Sequence, residues 1–252
     1  HTNAIYGDET DYEEKLSALD VIDSVVILSA SGGKHAVGMA KRAKERNLSV
    51  WLFTNNKNAP AREFVDDSQV IVFPKNREPY TYNTSTYMGM LLALEGGNTR
   101  DRAREIHEYI EQMVAPVVPN NFANYDSFFL LIPPSFILLR EMFLTKFDEL
   151  FQPIVSGRVF SVEEAKHAKT VIVSEKECFL SFGKENTLFG KEENRVQIPL
   201  SDTLGSAGAL AVVYYCIGNI QQQHPHYFAQ NIERYTKEAK NIFGQDIPII
   251  VE

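Results

Sequence analysis

Strand-length apolar runs alternate with amphipathic segments along the first 73 residues, and this rhythm restricts the chain's possible folds more than any other feature. Ser24-Val25-Val26-Ile27-Leu28 is short, β-branched and apolar, the pattern of a strand buried on both faces of a parallel sheet. The segment from His35 to Asn47 sets Ala36, Val37, Met39, Ala40 and Ala43 among Lys41, Arg42, Lys44, Glu45 and Arg46. That spacing predicts an amphipathic helix stopped by Asn47. Ser49 to Thr54 and Gln69 to Phe73 read as further strands, with a short helix at Ala61 to Asp66 between them. Strand, helix, strand, helix, strand in that order predicts a parallel α/β layer.

A second unit of the same kind begins at Phe128-Phe129-Leu130-Leu131-Ile132. Before it, Ser85 to Leu94 and Asp101 to Met113 read as helices separated by Gly96-Gly97-Asn98. After it come a helix from Phe136 toward Phe151, an extended piece at Val159 to Ser161 and a polar helix from Val162 to Lys169. Strands follow at Val171 to Val173, Cys178 to Phe182 and Arg195 to Pro199, then long helices at Leu204 to Gln222 and His226 to Ile242. The usual alternation lapses between Lys184 and Asn194. The expectation is two α/β halves, 1–115 and 116–252.

A chain of 252 residues that is 44% apolar can bury a large core. Its formal charge of −8 argues against a nucleic-acid surface, which needs an excess of Lys and Arg to replace counterions. Cys178 and Cys216 are far apart in apolar surroundings and read as buried structural thiols, with no disulfide framework or CxxC site. No apolar run is read as the roughly 20 residues a bilayer span needs, nor the N-terminus as a signal peptide, so the expected location is cytoplasmic. His224-Pro225-His226 lacks a third ligand and reads as a helix-start turn, not a metal site. No cofactor is expected.

Ser29-Ala30-Ser31-Gly32-Gly33-Lys34 lies where the first strand empties toward a helix. Two hydroxyls, approachable backbone N–H groups and the positive end of a helix dipole suit a phosphate, and Lys34 adds a charge at the mouth. The loop matches neither GxxxxGK[ST] nor GxGxxG. The same residues also fit an ordinary Gly-rich turn with Ser as a helix cap.

Position for position, Ser29 to Lys34 resembles the SxSGxT loop of the sugar-isomerase (SIS) domain family, with Lys34 in place of the threonine. Tyr82-Asn83-Thr84-Ser85-Thr86-Tyr87 is similar to that family's second phosphosugar segment, in which a Ser-Thr pair opens a helix. By its residues alone, Ser85 is a helix N-cap; the resemblance implies that Ser85 and Thr86 also face the sugar. Val162-Glu163-Glu164-Ala165-Lys166-His167-Ala168 resembles the ELKHGP segment of the isomerase half of glucosamine-6-phosphate synthase and of double-SIS phosphoglucose/phosphomannose isomerases, with Ala168-Lys169 replacing Gly-Pro.

The resemblance implies two three-layer αβα halves with mostly parallel, flavodoxin-like sheets, the first truncated relative to the family's. It implies a phosphosugar isomerase, or a related SIS lyase or deglycase, with a non-catalytic sugar-phosphate sensor as the alternative. His167 would then open the sugar ring, and Glu149, eighteen residues upstream, would move the proton between C1 and C2, with Asp148 as the alternative base. Without the resemblance, both side chains fit solvated helix surfaces equally well. A homodimer follows from the family's shared site and from the apolar helix that begins at Leu204. The chain departs from synthase-type enzymes at its end, where Ile247 to Glu252 carries no lysine, and no Gly-Thr-Ser turn precedes Ser24.

Overall fold

The computed structural model describes residues 4–73, 84–151, 153–168 and 172–244, the side chains of 84–86 and 228 excepted. These residues form two compact units, 4–73 with 84–86 and 87–244.

In the first unit, β1 (Ser24–Leu28), β2 (Ser49–Thr54) and β3 (Val70–Val72) form a parallel sheet in that order. Val26 pairs with Trp51 and Leu52 with Val70. Between β1 and β2 runs α2 (His35–Glu45), whose Ala36, Ala40 and Ala43 pack with Ile27, Val50 and Leu52 of the sheet. Three alanines on the contact stripe let the helix axis come close. Asn47 ends the helix at φ 59, a left-handed conformation that Asn tolerates better than most residues. A first helix, α1 (Tyr12–Ala18), precedes β1. The opposite face of the sheet differs from the expectation that β1 is buried on both sides. Val26, Leu28 and Trp51 are 58%, 50% and 37% exposed, and of β1 only Ile27 is buried. An unbroken apolar run does not report on its own which faces are covered.

In the second unit the parallel sheet runs β5 (Ser156–Phe160), β4 (Ser127–Leu131), β6 (Glu177–Phe182), β7 (Arg195–Ile198). Every residue of β6 is buried. Phe128, Leu130, Cys178 and Leu180 share a core with Phe143 and Phe147 of α5 (Arg140–Phe151) and Leu210, Val213 and Ile217 of α7 (Gly205–Gln223). On the other face Phe129 stacks on Phe179 at 4.9 Å and on Phe160 at 5.2 Å, covered by Phe189 and by Ala165 of the short α6 (Val162–Ala165). This α/β arrangement, parallel strands flanked by helices, is the expected fold class.

Helices α3 (Thr84–Glu95) and α4 (Thr99–Tyr109) are joined at Asn98, whose side chain accepts from the N–H groups of Arg100 and Asp101 as an N-cap. Leu92, Ile106 and Val114 lie in the second unit's core, so by packing residues 87–115 go with the second unit and not with the N-terminal half. Glu95 fixes this: its Oε1 accepts from the Ala207 N–H at 2.7 Å, capping α7, and Arg102 Nε lies 3.8 Å from its Oε2.

The strand expected at Val171 to Val173 is not formed by its described residues. Ile172 is 84% exposed and Val173 half so, and β6 starts four residues later. Val171, like Lys169, Tyr82, Asn83 and the tail Ile247 to Glu252, lies outside the described residues. Between β6 and β7 a packed loop replaces the helix. Asn186 accepts from Leu188 N–H and Phe189 N–H and donates to Phe189 O, while Arg195 donates to the carbonyls of Phe189 and Gly190.

The segment Asp202–Gln223 is long and apolar enough to cross a membrane by length and composition, contrary to the sequence expectation. Its Leu210, Val213, Cys216, Ile217 and Ile220 side chains instead lie buried in the second core. Helix α8 (Tyr227–Phe243) closes the described chain. His224, between α7 and α8, places Nδ1 2.8 Å from Ile220 O and Nε2 2.9 Å from Tyr125 O, edge-on to Phe128 and Phe151. It is a packing residue.

Candidate functional site

The Ser29–Lys34 loop carries β1 into α2. Thr54 Oγ1 donates to Ala30 O at 2.9 Å, Asn56 Nδ2 to Ser31 O at 3.0 Å and Ala61 N to Gly32 O at 2.8 Å. Three successive carbonyls are thus held by the segment that follows β2. Gly32 sits at φ 61, and a Cβ there would lie 2.3 Å from Ala59 Cβ, so the position admits only glycine.

Within the loop, Ser29 Oγ accepts from Gly32 N–H and Ser31 Oγ from Gly33 N–H, both at 3.2 Å. A hydroxyl that accepts one N–H can still donate its own O–H onward. The N–H groups of Ser31, Lys34 and His35 have no hydrogen-bond partner among the described residues. Ser31, Lys34 and His35 are exposed, and Lys34 adopts φ 46 at the mouth of the helix. The result is an open concavity of N–H and O–H donors at the positive end of an 11-residue helix, suited to a small anion. Ser29, Ser31, Gly32, Gly33 and Lys34 all lie in this loop.

The second phosphosugar segment is less informative. Helix α3 starts at Thr84, which puts Ser85 inside the first turn instead of at the N-cap. The side chains of Ser85 and Thr86 lie outside the described residues.

Glu149 and His167 both belong to the second unit. Glu149, near the end of α5, is half-buried, and its Oε2 lies 3.4 Å from Lys146 Nζ. Lys146 is itself buried, with its ammonium 4.9 Å over the Tyr214 ring. Burial pushes the Tyr87 phenol above its ordinary value, and the charge of Glu149 adds to that shift. Asp148 is exposed. Glu149 thus sits beside a buried ammonium, and Asp148 next to it in sequence is exposed.

His167 lies in the turn after α6, its N–H donating to Glu164 O at 3.0 Å and its side chain exposed. No hydrogen bond joins its ring to Glu149 among the described residues. The neighbouring Glu164 is a structural residue. Its hydrogen bond with Arg140, reinforced by the Ser161 N–H in a capping box, holds its carboxyl down at about 2.

No protein-family model matches the chain, and no curated protein matches it by sequence. Solved structures do match its fold. A protein of Salmonella typhimurium LT2, provisionally named a sugar-binding protein, aligns over 85% of this chain and 77% of its own with a TM-score of 0.60 and 13% identity. Two provisionally named phosphosugar isomerases align similarly. One, from Clostridium difficile 630, covers 82% of this chain and 72% of its own (TM-score 0.56, 13% identity), and one from Bacillus subtilis covers 85% and 76% (0.53, 13%). The chain shares the α/β fold of these proteins.

Proposed function

We propose that this chain binds a phosphorylated sugar on the Ser29–Lys34 loop and interconverts its aldose and ketose forms. The observation that carries the reading is the cluster of N–H donors at Ser31, Lys34 and His35 without partners among the described residues, beside two polarised serine hydroxyls, at the start of α2. Phosphate oxygens match that donor set, and the names of the structurally similar proteins point to the same ligand class.

In this reading Glu149 takes the proton from C2 of the open-chain aldose and returns it to C1 through an enediol, the ketose running the reverse course. His167 protonates the ring oxygen as the cyclic sugar opens. Ser85 and Thr86 contact the sugar, and two copies of the chain assemble the site as a homodimer, which light scattering would register at twice the monomer mass. Elimination from an adduct of the same sugar phosphate uses the same base and is the related lyase chemistry.

The test is solvent exchange. Fructose, glucose, mannose and glucosamine 6-phosphates are incubated with the protein in D₂O, and deuterium at C2 is read by NMR. Exchange that disappears in Glu149→Gln with affinity retained supports isomerase chemistry. Exposure of the His167 side chain favours a second reading, a sugar-phosphate sensor without turnover. Binding with no exchange on any of the four sugars would establish the sensor and remove the isomerase.

A further inference from the structure

We infer that Asn56 is the positioning residue that fixes the Ser31–Gly32 peptide and, through its Gly32 N–H, the Ser29 hydroxyl that faces the anion. The inference rests on the loop being the anion site, and it concerns how that site is set.

In a trans peptide the C=O of one residue and the N–H of the next point in opposite directions. Fixing a carbonyl therefore fixes the neighbouring N–H on the other side. Ala30 O, held by Thr54 Oγ1 and by Asn55 N–H, turns the Ser31 N–H away from β2. Ser31 O, held by Asn56 Nδ2, directs the Gly32 N–H to Ser29 Oγ, and Gly32 O, held by Ala61 N–H, directs the Gly33 N–H to Ser31 Oγ. With three consecutive carbonyls tied down, the Ser31 N–H stays open among the described residues and the next two hold the serine oxygens, whose O–H groups remain to donate. Two of those peptides are secured by backbone donors from the folded β2 segment. The Ser31–Gly32 peptide alone among them depends on a side chain.

Asn56 is equipped for that task. Its Oδ1 accepts from Asn58 N–H at 2.9 Å and its own N–H donates to Thr54 Oγ1 at 3.1 Å, so the amide that reaches Ser31 O is pinned at both ends. Thr54 is 1% exposed, which makes this anchor part of the unit's buried structure. Gly32 at φ 61 has no side chain to resist rotation of its flanking peptides. Among the described residues that peptide is held by side chains alone: Asn56 Nδ2 fixes its carbonyl and Ser29 Oγ accepts its N–H.

The discriminating variant is Asn56→Asp. The carboxylate keeps the acceptor for Asn58 N–H and loses the donor to Ser31 O. Asn58→Asp places the same charge two residues away and controls for electrostatics. Affinity for fructose 6-phosphate is measured by calorimetry, and the backbone amides of Ser31, Gly32 and Gly33 are followed by NMR with and without ligand. Asn56→Asp should weaken binding about tenfold or more. It should also shift the ligand-free Gly32 amide, at unchanged melting temperature, with Asn58→Asp within about threefold of wild type. Equal affinities for Asn56→Asp and Asn58→Asp overturn the inference while leaving the anion site intact. If the wild type itself ignores fructose 6-phosphate, the proposed function falls, and the ligand-free spectra decide the positioning: an unmoved Gly32 amide in Asn56→Asp overturns it, and a displaced one upholds it.

Discussion

The chain makes the same turn twice, from the end of a parallel strand into the next helical segment, and the two turns are chemically opposite. After β1 the loop is Ser29 to Lys34, where the N–H groups of Ser31 and Lys34 have no partner among the described residues. After β4 it is Ile132-Pro133-Pro134-Ser135, where two prolines supply no N–H at all. The second turn is also filled. A Cβ at Gly183, beyond the end of β6, would lie 2.9 Å from Leu200 O and 3.7 Å from Pro133 Cγ. The sheets differ in the same sense, since β6 is buried throughout whereas β1 and β2 leave Val26, Leu28 and Trp51 exposed. The second unit buries its central strand on both faces while the first leaves apolar strand residues exposed, so the larger core and the proposed anion loop lie in different parts of one chain.

The largest break in this contrast should come from the cores. Leu180→Ala, in the fully buried β6, should lower unfolding free energy by about 2–5 kcal/mol in urea titrations, whereas Leu28→Ala should cost under about 1 kcal/mol. Equal costs would remove the distinction between the sheets. Next in size is recognition. Ser31→Ala removes a donor to a charged group, worth about 1.5–3 kcal/mol, and should weaken fructose 6-phosphate binding about tenfold or more by calorimetry.

A smaller effect sharpens the comparison from the closed side. The Arg140 partner lowers Glu164 below an unfolded glutamate, so the pair stabilises above about pH 4.3 and fades as pH falls toward about 2. The carboxylate is 42% exposed and solvent screens it, so Glu164→Gln should cost no more than about 1 kcal/mol at pH 7 and nothing near pH 2, measured by thermal melts across that range. Smallest of all, Pro133→Ala restores one N–H to the second turn yet should leave phosphate stoichiometry at one per chain, with affinity within about twofold, because the neighbouring space is occupied.

Most strands and helices were legible because their signals are local. β1, β2, β4, β6 and β7 follow runs such as Val25-Val26-Ile27 and Phe128-Phe129-Leu130, and α2 ends at Asn47 as its composition predicts. The Ser29–Lys34 loop stands out for the same reason, being six consecutive residues. What escaped was set by partners distant in sequence. Glu95 caps a helix 112 residues away, which moves residues 87–115 into the second unit. Asn56 reaches Ser31 across 25 residues, and no local pattern marks it out from Asn55 or Asn58. The surroundings of Glu149, formed by Lys146 and Tyr87, likewise come from side chains that no motif marks.

Both thiols of the chain lie in the second core. Burial raises Cys178 to about 12 and Cys216 further still, so neither offers a thiolate to a reagent while that core is shut. The first unit has no cysteine. Thiol labelling of the unmodified protein therefore acts as a clock for one unit alone: its rate times the opening of the second core and is blind to any loosening around Ser31. Amide exchange at Ser31 to Gly33 reads the other unit, and the ratio of the two rates measures whether the halves open together or apart.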